Sequence, residues 1–98
     1  MKNQSKTRYV IVRSTAGVFL GKLKSYKNAE ADLTEVRRLW YWSGAASLSQ
    51  LAVEGTSQPN ACRFPCVAPR IIVPAVMEML DVTPKAKQSL YGVKEWKA

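Results

Sequence analysis

"RRLWYW", residues 37–42, sets two arginines against three large aromatic side chains, and the small-residue run "SGAAS" follows at once. Two periodicities compete for this stretch. Leu33, Val36, Arg37 and Trp40 recur at helical spacing, whereas Arg38, Trp40 and Trp42 alternate with Arg37, Leu39 and Tyr41 like the two faces of a strand. Aromatic enrichment and the stop at Ser43 and Gly44 favour a strand over residues 36–42. One guanidinium and two indoles would then share a face at intervals of about 7 Å. Such a ladder suits a phosphate beside a stacked base, because arginine offers a planar fork to phosphate oxygens and indole a wide stacking surface. Arg37, Arg38, Trp40 and Trp42 are therefore candidate ligand contacts, with Arg13 foremost among further cations, including Lys22 and Arg63, any one of which could complete a pocket. The competing reading is structural: tryptophans on strands are more often core, and an arginine stem can simply cover a ring.

Upstream, "RYVIVR" is rich in β-branched residues and reads as a strand over residues 8–13, with "STAG" as a turn. From Val18 to Tyr26, Phe19 and Leu23 face one way while Lys22, Lys24 and Tyr26 face the other, giving a hairpin with a basic face. "KNAEAD" reads as the next turn, with Glu30, Asp32 and Glu35 in solvated loop or strand edge.

Downstream, "SLSQLAVEG" reads as a helix: Ser47 and Gln50 make a capping box, and Gly55 stands at the C-terminal left-handed position. Pro65, Pro69 and Pro74 confine residues 65–74 to edge strands or bends. Residues 76–82 alternate as a strand whose methionines are core filler, and Thr83 and Pro84 open a short helix to about Leu90, closed by Gly92. Trp96, in the tail "VKEWKA", is expected to dock onto the body. The sum is an α+β fold with one domain over residues 1–98. It is a small, mainly antiparallel β-sheet with an N-terminal hairpin and one or two short helices packed on it.

A chain of 98 residues with 47% hydrophobic and 22% charged residues lies in the ordinary globular range. No stretch approaches membrane-span or signal-peptide length, so a cytoplasmic protein is expected. The net charge of +8 is uneven: residues 1–27 hold Lys2, Lys6, Arg8, Arg13, Lys22, Lys24 and Lys27 and no acid. A basic surface of this kind favours phosphate-bearing partners.

Histidine is absent, which removes Ser-His-Asp and Cys-His nucleophile systems and the commonest proton shuttle. Cys62 and Cys66 alone supply too few ligands for a zinc site and read as reduced thiols. The isolated glycines form neither a P-loop nor a dinucleotide fingerprint. A non-enzymatic protein without metal or cofactor is expected.

Taken together, "RRLWYW", "GAASLSQLAVEG", "CRF" and the closing "GVKEWKA" resemble a family of small uncharacterised bacteriophage proteins, with the likeness running from Tyr9 to Ala98. The resemblance implies a phage product acting in the host cytoplasm and brings no binding or catalytic residues with it. The proline at 74 departs from the family pattern by interrupting what would be a longer strand. Three roles follow as expectations. The first is sequestration of a small anionic nucleotide-like ligand, an immune signal of the host. The second is binding of nucleic acid through the N-terminal basic face, or inhibition of a host defence protein acting on nucleic acid. The third is an assembly role for a homo-oligomer whose aromatics form the interface.

Overall fold

The computed structural model describes residues 7–97, so Lys2 and Lys6 lie outside the described residues. The β-branched run Val10, Ile11 and Val12 makes strand β1 (Tyr9–Ser14), which turns at Thr15 and Ala16 into β2 (Gly17–Lys27). Asn28 and Ala29 then take left-handed φ values of 54° and 61°, the mirror-image two-residue turn that matches the twist of the flanking strands. Strand β3 (Glu30–Arg38) follows directly. The edges of the sheet are β4 (Val67–Val73), bonded to β3, and β5 (Val76–Asp81), bonded to β1. The order is β4-β3-β2-β1-β5, antiparallel throughout.

Only Pro74 and Ala75 separate β4 from β5, although the two lie at opposite edges. The sheet must therefore coil until its edges meet, and Val76 N donates to Ala29 O at 2.9 Å across that closure. Inside the coil lie Val10, Val12, Phe19, Ala31, Leu33, Val36 and Val73, a cluster of strand residues alone. The convex face carries Ile11 and Leu20, covered by helix α1 (Leu48–Glu54), helix α2 (Pro84–Tyr91) and the irregular segments around Leu39, Phe64 and Val93. Both faces of the β1–β2 ladder are thus buried, which is why "RYVIVR" alternates so weakly.

Strand β3 differs from its sequence reading. It spans residues 30–38 rather than 36–42, and Glu30, Asp32 and Glu35 belong to the sheet rather than to a loop. Its last bond to β2 is Leu39 N donating to Val18 O at 2.9 Å; β2 begins at Gly17, so no partner remains for Trp40 and Trp42. The helical spacing of Leu33 and Val36 has a local cause. Glu35 and Val36 together stand opposite Gly21, between the pairs Lys22–Thr34 and Leu20–Arg37, as a two-against-one bulge with Glu35 at φ 52°. The extra residue returns Val36 to the side of Leu33, so both enter the coil interior and Arg37 points the opposite way. Gly21 leaves room for the bulge, since a Cβ there would lie 3.0 Å from Leu33 Cβ and 3.2 Å from Thr34 O and would press on both.

Both helices begin as their caps dictate. Ser47 Oγ accepts from Gln50 N at 3.1 Å, while Gln50 Oε1 accepts from Ala46 N, one residue before the position a regular capping box would use. Thr83 Oγ1 accepts from Ala86 N at 3.1 Å, with Pro84 in the first turn. Pro69 lies on edge strand β4, where its missing N–H costs no ladder bond. Met79 packs against the coil interior, whereas Met77 is exposed and fills no core. Cys62 and Cys66 are both free thiols. Among the described residues no helix is long and apolar enough to cross a membrane.

A polar cluster beneath α2 makes one measurable prediction. The bulge sends Glu35 toward β1, where Tyr9 Oη donates to its carboxylate at 3.0 Å, and Tyr91 Oη donates to the Glu35 backbone O at 2.6 Å. The rings of Tyr9 and Tyr91 meet edge to face with centroids 5.8 Å apart. Burial first, then the neighbouring Tyr9 and Glu35, push the Tyr91 phenol well above the usual tyrosine range. The unfolded chain consequently loses this proton before the folded one does. Its contribution to stability is intact below about pH 10 and declines as the pH rises further. Denaturant titrations between pH 9 and 11.5 are expected to show a shallower loss of stability for Tyr91→Phe than for the parent chain. Tyr26→Phe, at an exposed ring, is expected to follow the parent.

Candidate functional site

The expected ladder of Arg38, Trp40 and Trp42 does not form, because β3 ends at Arg38. Arg37 points into the convex-side core and is 3% exposed. Its Nε donates to Pro65 O at 3.1 Å, Nη1 to Leu90 O at 3.0 Å and Tyr91 O at 3.2 Å, and Nη2 to Phe64 O at 3.3 Å. Its guanidinium carbon stands 5.5 Å from the Phe64 ring centroid. The charge is balanced by carbonyls, two of them at the C-terminus of α2 where the helix dipole is negative. Burial pushes its pKa down from the usual arginine range. Arg37 thus has no face left for a ligand: it is a rivet between β3, α2 and the 64–65 bend.

Arg13 Nε donates to Glu78 Oε1 at 2.9 Å across the β1–β5 ladder. Trp42 is half-buried against the convex-side core. Arg38 and Trp40 remain accessible. Arg38 lies over the Phe19 ring at 4.5 Å and its Nη1 donates to Ala16 O at 3.3 Å, while Trp40 is 57% exposed.

Past Arg38 the chain builds a second, smaller layer. Tyr41 N donates to Arg63 O at 3.3 Å and Arg63 N to Tyr41 O at 2.8 Å, and Trp96 N donates to Phe64 O at 2.9 Å. These bonds bring three distant segments side by side. Trp96 stacks on Trp40 with centroids 5.0 Å apart and planes 9° from parallel. The Arg63 guanidinium carbon stands 6.0 Å from the Trp40 ring centroid, 5.9 Å from Tyr41 and 5.8 Å from Trp96. Together these side chains line an open cleft of about 650 Å³.

The charge pattern isolates this surface. Of the six arginines, Arg8 pairs with Asp81 at 2.7 Å, Arg13 with Glu78 at 2.9 Å and Arg70 with Asp32 at 2.7 Å, while Arg37 is buried among carbonyls. The Arg70 fork holds the Asp32 carboxyl below its usual range, and nearby Lys24 adds to the effect. Within the N-terminal basic run, Arg8 and Arg13 are accordingly matched by acids from β5. Among the described residues Arg38 and Arg63 have no carboxylate partner, and each lines a cleft that Trp40 also lines.

The sequence marks Arg63 only as one of several cations able to complete a pocket, and it does not single out Tyr41 or Trp96 as contacts. The available signal was the docking tryptophan in a lysine-rich tail, which had to land on some apolar surface.

The fold and this surface define a small α+β protein with a coiled antiparallel sheet and an aromatic face bordered by arginines. The chain belongs to the family described as Domain of unknown function (DUF6948), whose model matches residues 7–90; Arg38, Trp40 and Arg63 lie within the match and Trp96 beyond it. No curated protein and no solved structure matches the chain.

Proposed function

We propose that the protein is a binder rather than a catalyst, and that its Arg38–Trp40–Arg63–Trp96 face holds a ligand carrying both phosphate and a flat base. One observation carries this reading: among the described residues the two arginines without acidic partners each line a cleft that the exposed Trp40 also lines, and Arg63 stands over the Trp40 and Trp96 rings. A guanidinium left unpaired over rings keeps its fork for phosphate oxygens, while the rings offer a stacking surface to any base. In the bacteriophage setting suggested by the resemblance, sequestration of a nucleotide immune signal in the host cytoplasm is the fitting role. Binding to host nucleic acid is its companion, relocated from the N-terminal hairpin, whose arginines are already paired with carboxylates.

Trp40 and Trp96 report directly on this surface, so quenching of tryptophan fluorescence by added nucleotides and oligonucleotides tests the reading. Removing one charged stacked contact is worth about 1–2 kcal/mol, so Arg63→Ala is expected to weaken binding roughly 5- to 30-fold without changing the melting temperature by more than a few degrees. Recovery of the ligand chemically unchanged is expected throughout. Undiminished binding by a folded Arg63→Ala variant would remove this face from consideration.

A further inference from the structure

We infer that the ligand of this face is a single nucleic-acid strand several nucleotides long, laid along a groove that a mononucleotide would fill only in part. The inference rests on the ligand chemistry proposed above and adds the length and form of the ligand.

Three clefts adjoin one another here. The first holds Arg38, Gly17 and Trp42 and shares Trp40 with the second, which holds Arg63, Tyr41 and Asn60. The second shares Asn60, Cys62 and Trp96 with a third, lined by Lys94, Glu95 and Lys97. Along this path cations and rings alternate: Arg38, Trp40, Arg63, Trp96, then Lys94 and Lys97. Glu95 is the one acid lining the three clefts, and its carboxylate faces Lys97 Nζ at 4.0 Å.

Each cleft is open, so a ligand confined to one leaves much of its surface in water, unlike ligands that are 70–90% enclosed in typical small-molecule pockets. Linking weak subsites through one chain multiplies their affinities, since the second contact forms at high effective concentration. A continuous strand exploits that geometry. Duplex does not, because its base faces are already stacked on one another and only a single strand offers them to indole. Trp40 and Trp96 are in mutual contact with no gap between them, so bases stack on their outer faces.

The test uses the full chain with three probes: a fluorescein-labelled 12-nucleotide deoxythymidine oligomer, thymidine monophosphate, and a 12-base-pair duplex. The oligomer is expected to bind at least 30-fold more tightly than the mononucleotide and at least 10-fold more tightly than the duplex. Four phosphate contacts predict a log–log salt slope near −3, at about −0.7 per contact, which falls to about −2 in Arg38→Ala and to about −1.4 in the double variant Lys94→Ala/Lys97→Ala. All three residues are exposed, and the variants are expected to keep the parent's circular dichroism spectrum, which checks that they remain folded. Mononucleotide binding within threefold of the oligomer would overturn the strand while leaving the phosphate-and-base reading standing. Equal affinity for duplex would likewise overturn it. Failure of every probe to quench Trp40 and Trp96 would overturn both.

Discussion

Arg37→Ala is expected to lower the stability of the folded chain by about 3–5 kcal/mol, a large share of the roughly 5–15 kcal/mol typical of a domain. The guanidinium donates to four backbone carbonyls from two segments, the 64–65 bend and the end of α2, and alanine removes its bond from each; Phe64 O keeps only the bond from Trp96 N. Each orphaned buried acceptor costs about 1–3 kcal/mol, with some relief by relaxation. For a chain of this size the melting temperature should fall by roughly 15–30 °C in a thermal scan. Arg37→Lys should recover only part of the loss, since one ammonium cannot reach Pro65, Phe64 and the end of α2 together. Arg37→Met tests the assignment separately, because it keeps an apolar stem against Phe64 but supplies no donor. Wild-type stability in that variant would show that the carbonyls do not depend on Arg37.

The second large effect is expected at Gly44. It has φ 86°, and a Cβ there would lie 2.6 Å from Gln58 N and 2.8 Å from Ser57 N, both backbone atoms that cannot swing aside. Around it Ser57 N donates to Gly44 O at 3.2 Å and Thr56 Oγ1 to Ser43 O at 2.5 Å, fastening the chain after Trp42 to the loop that leads into Arg63. Gly44→Ala must either open this hook or adopt a left-handed alanine, at a cost of about 2–4 kcal/mol. Since the hook helps set Arg63 beside Trp40, ligand affinity should fall together with the melting temperature. In Arg63→Ala affinity alone should fall. Comparing the two variants separates positioning from contact.

Much of the fold was legible because local chemistry and burial agree. Thr83 with Pro84, Ser47 with Gln50, and the confinement of Pro69 to an edge strand each follow from one residue's hydrogen-bonding limits. The reading chose a strand but misplaced it, at 36–42 instead of 30–38, and the Glu35 bulge, which puts Leu33 and Val36 on one face, supplied the competing helical spacing. No single-strand pattern reveals a bulge, which is defined only against its partner strand, here opposite Gly21.

The candidate site was half legible for a similar reason. "RRLWYW" did mark the right neighbourhood, yet adjacent arginines point to opposite faces, one into the core and one to the rim. Which of them keeps its charge free depends on Leu90, Tyr91 and Phe64, far along the chain. Basic clustering in sequence was equally misleading, because Glu78 and Asp81 return to neutralise Arg13 and Arg8 only once β5 is in place.

The two-residue link at Pro74 bears on how the protein is made. Strand β1 is central in the finished sheet, with Val12 paired to both Phe19 and Met79. At ribosomal speeds of about 5–20 residues per second, Met79 is synthesised roughly 3–13 s after Val12. During that interval one side of the nascent hairpin is an apolar, unpaired template, open to any neighbouring strand. Slowing translation late in the message should therefore raise the yield of insoluble chain, and supplying residues 76–81 as a free peptide should compete with that loss.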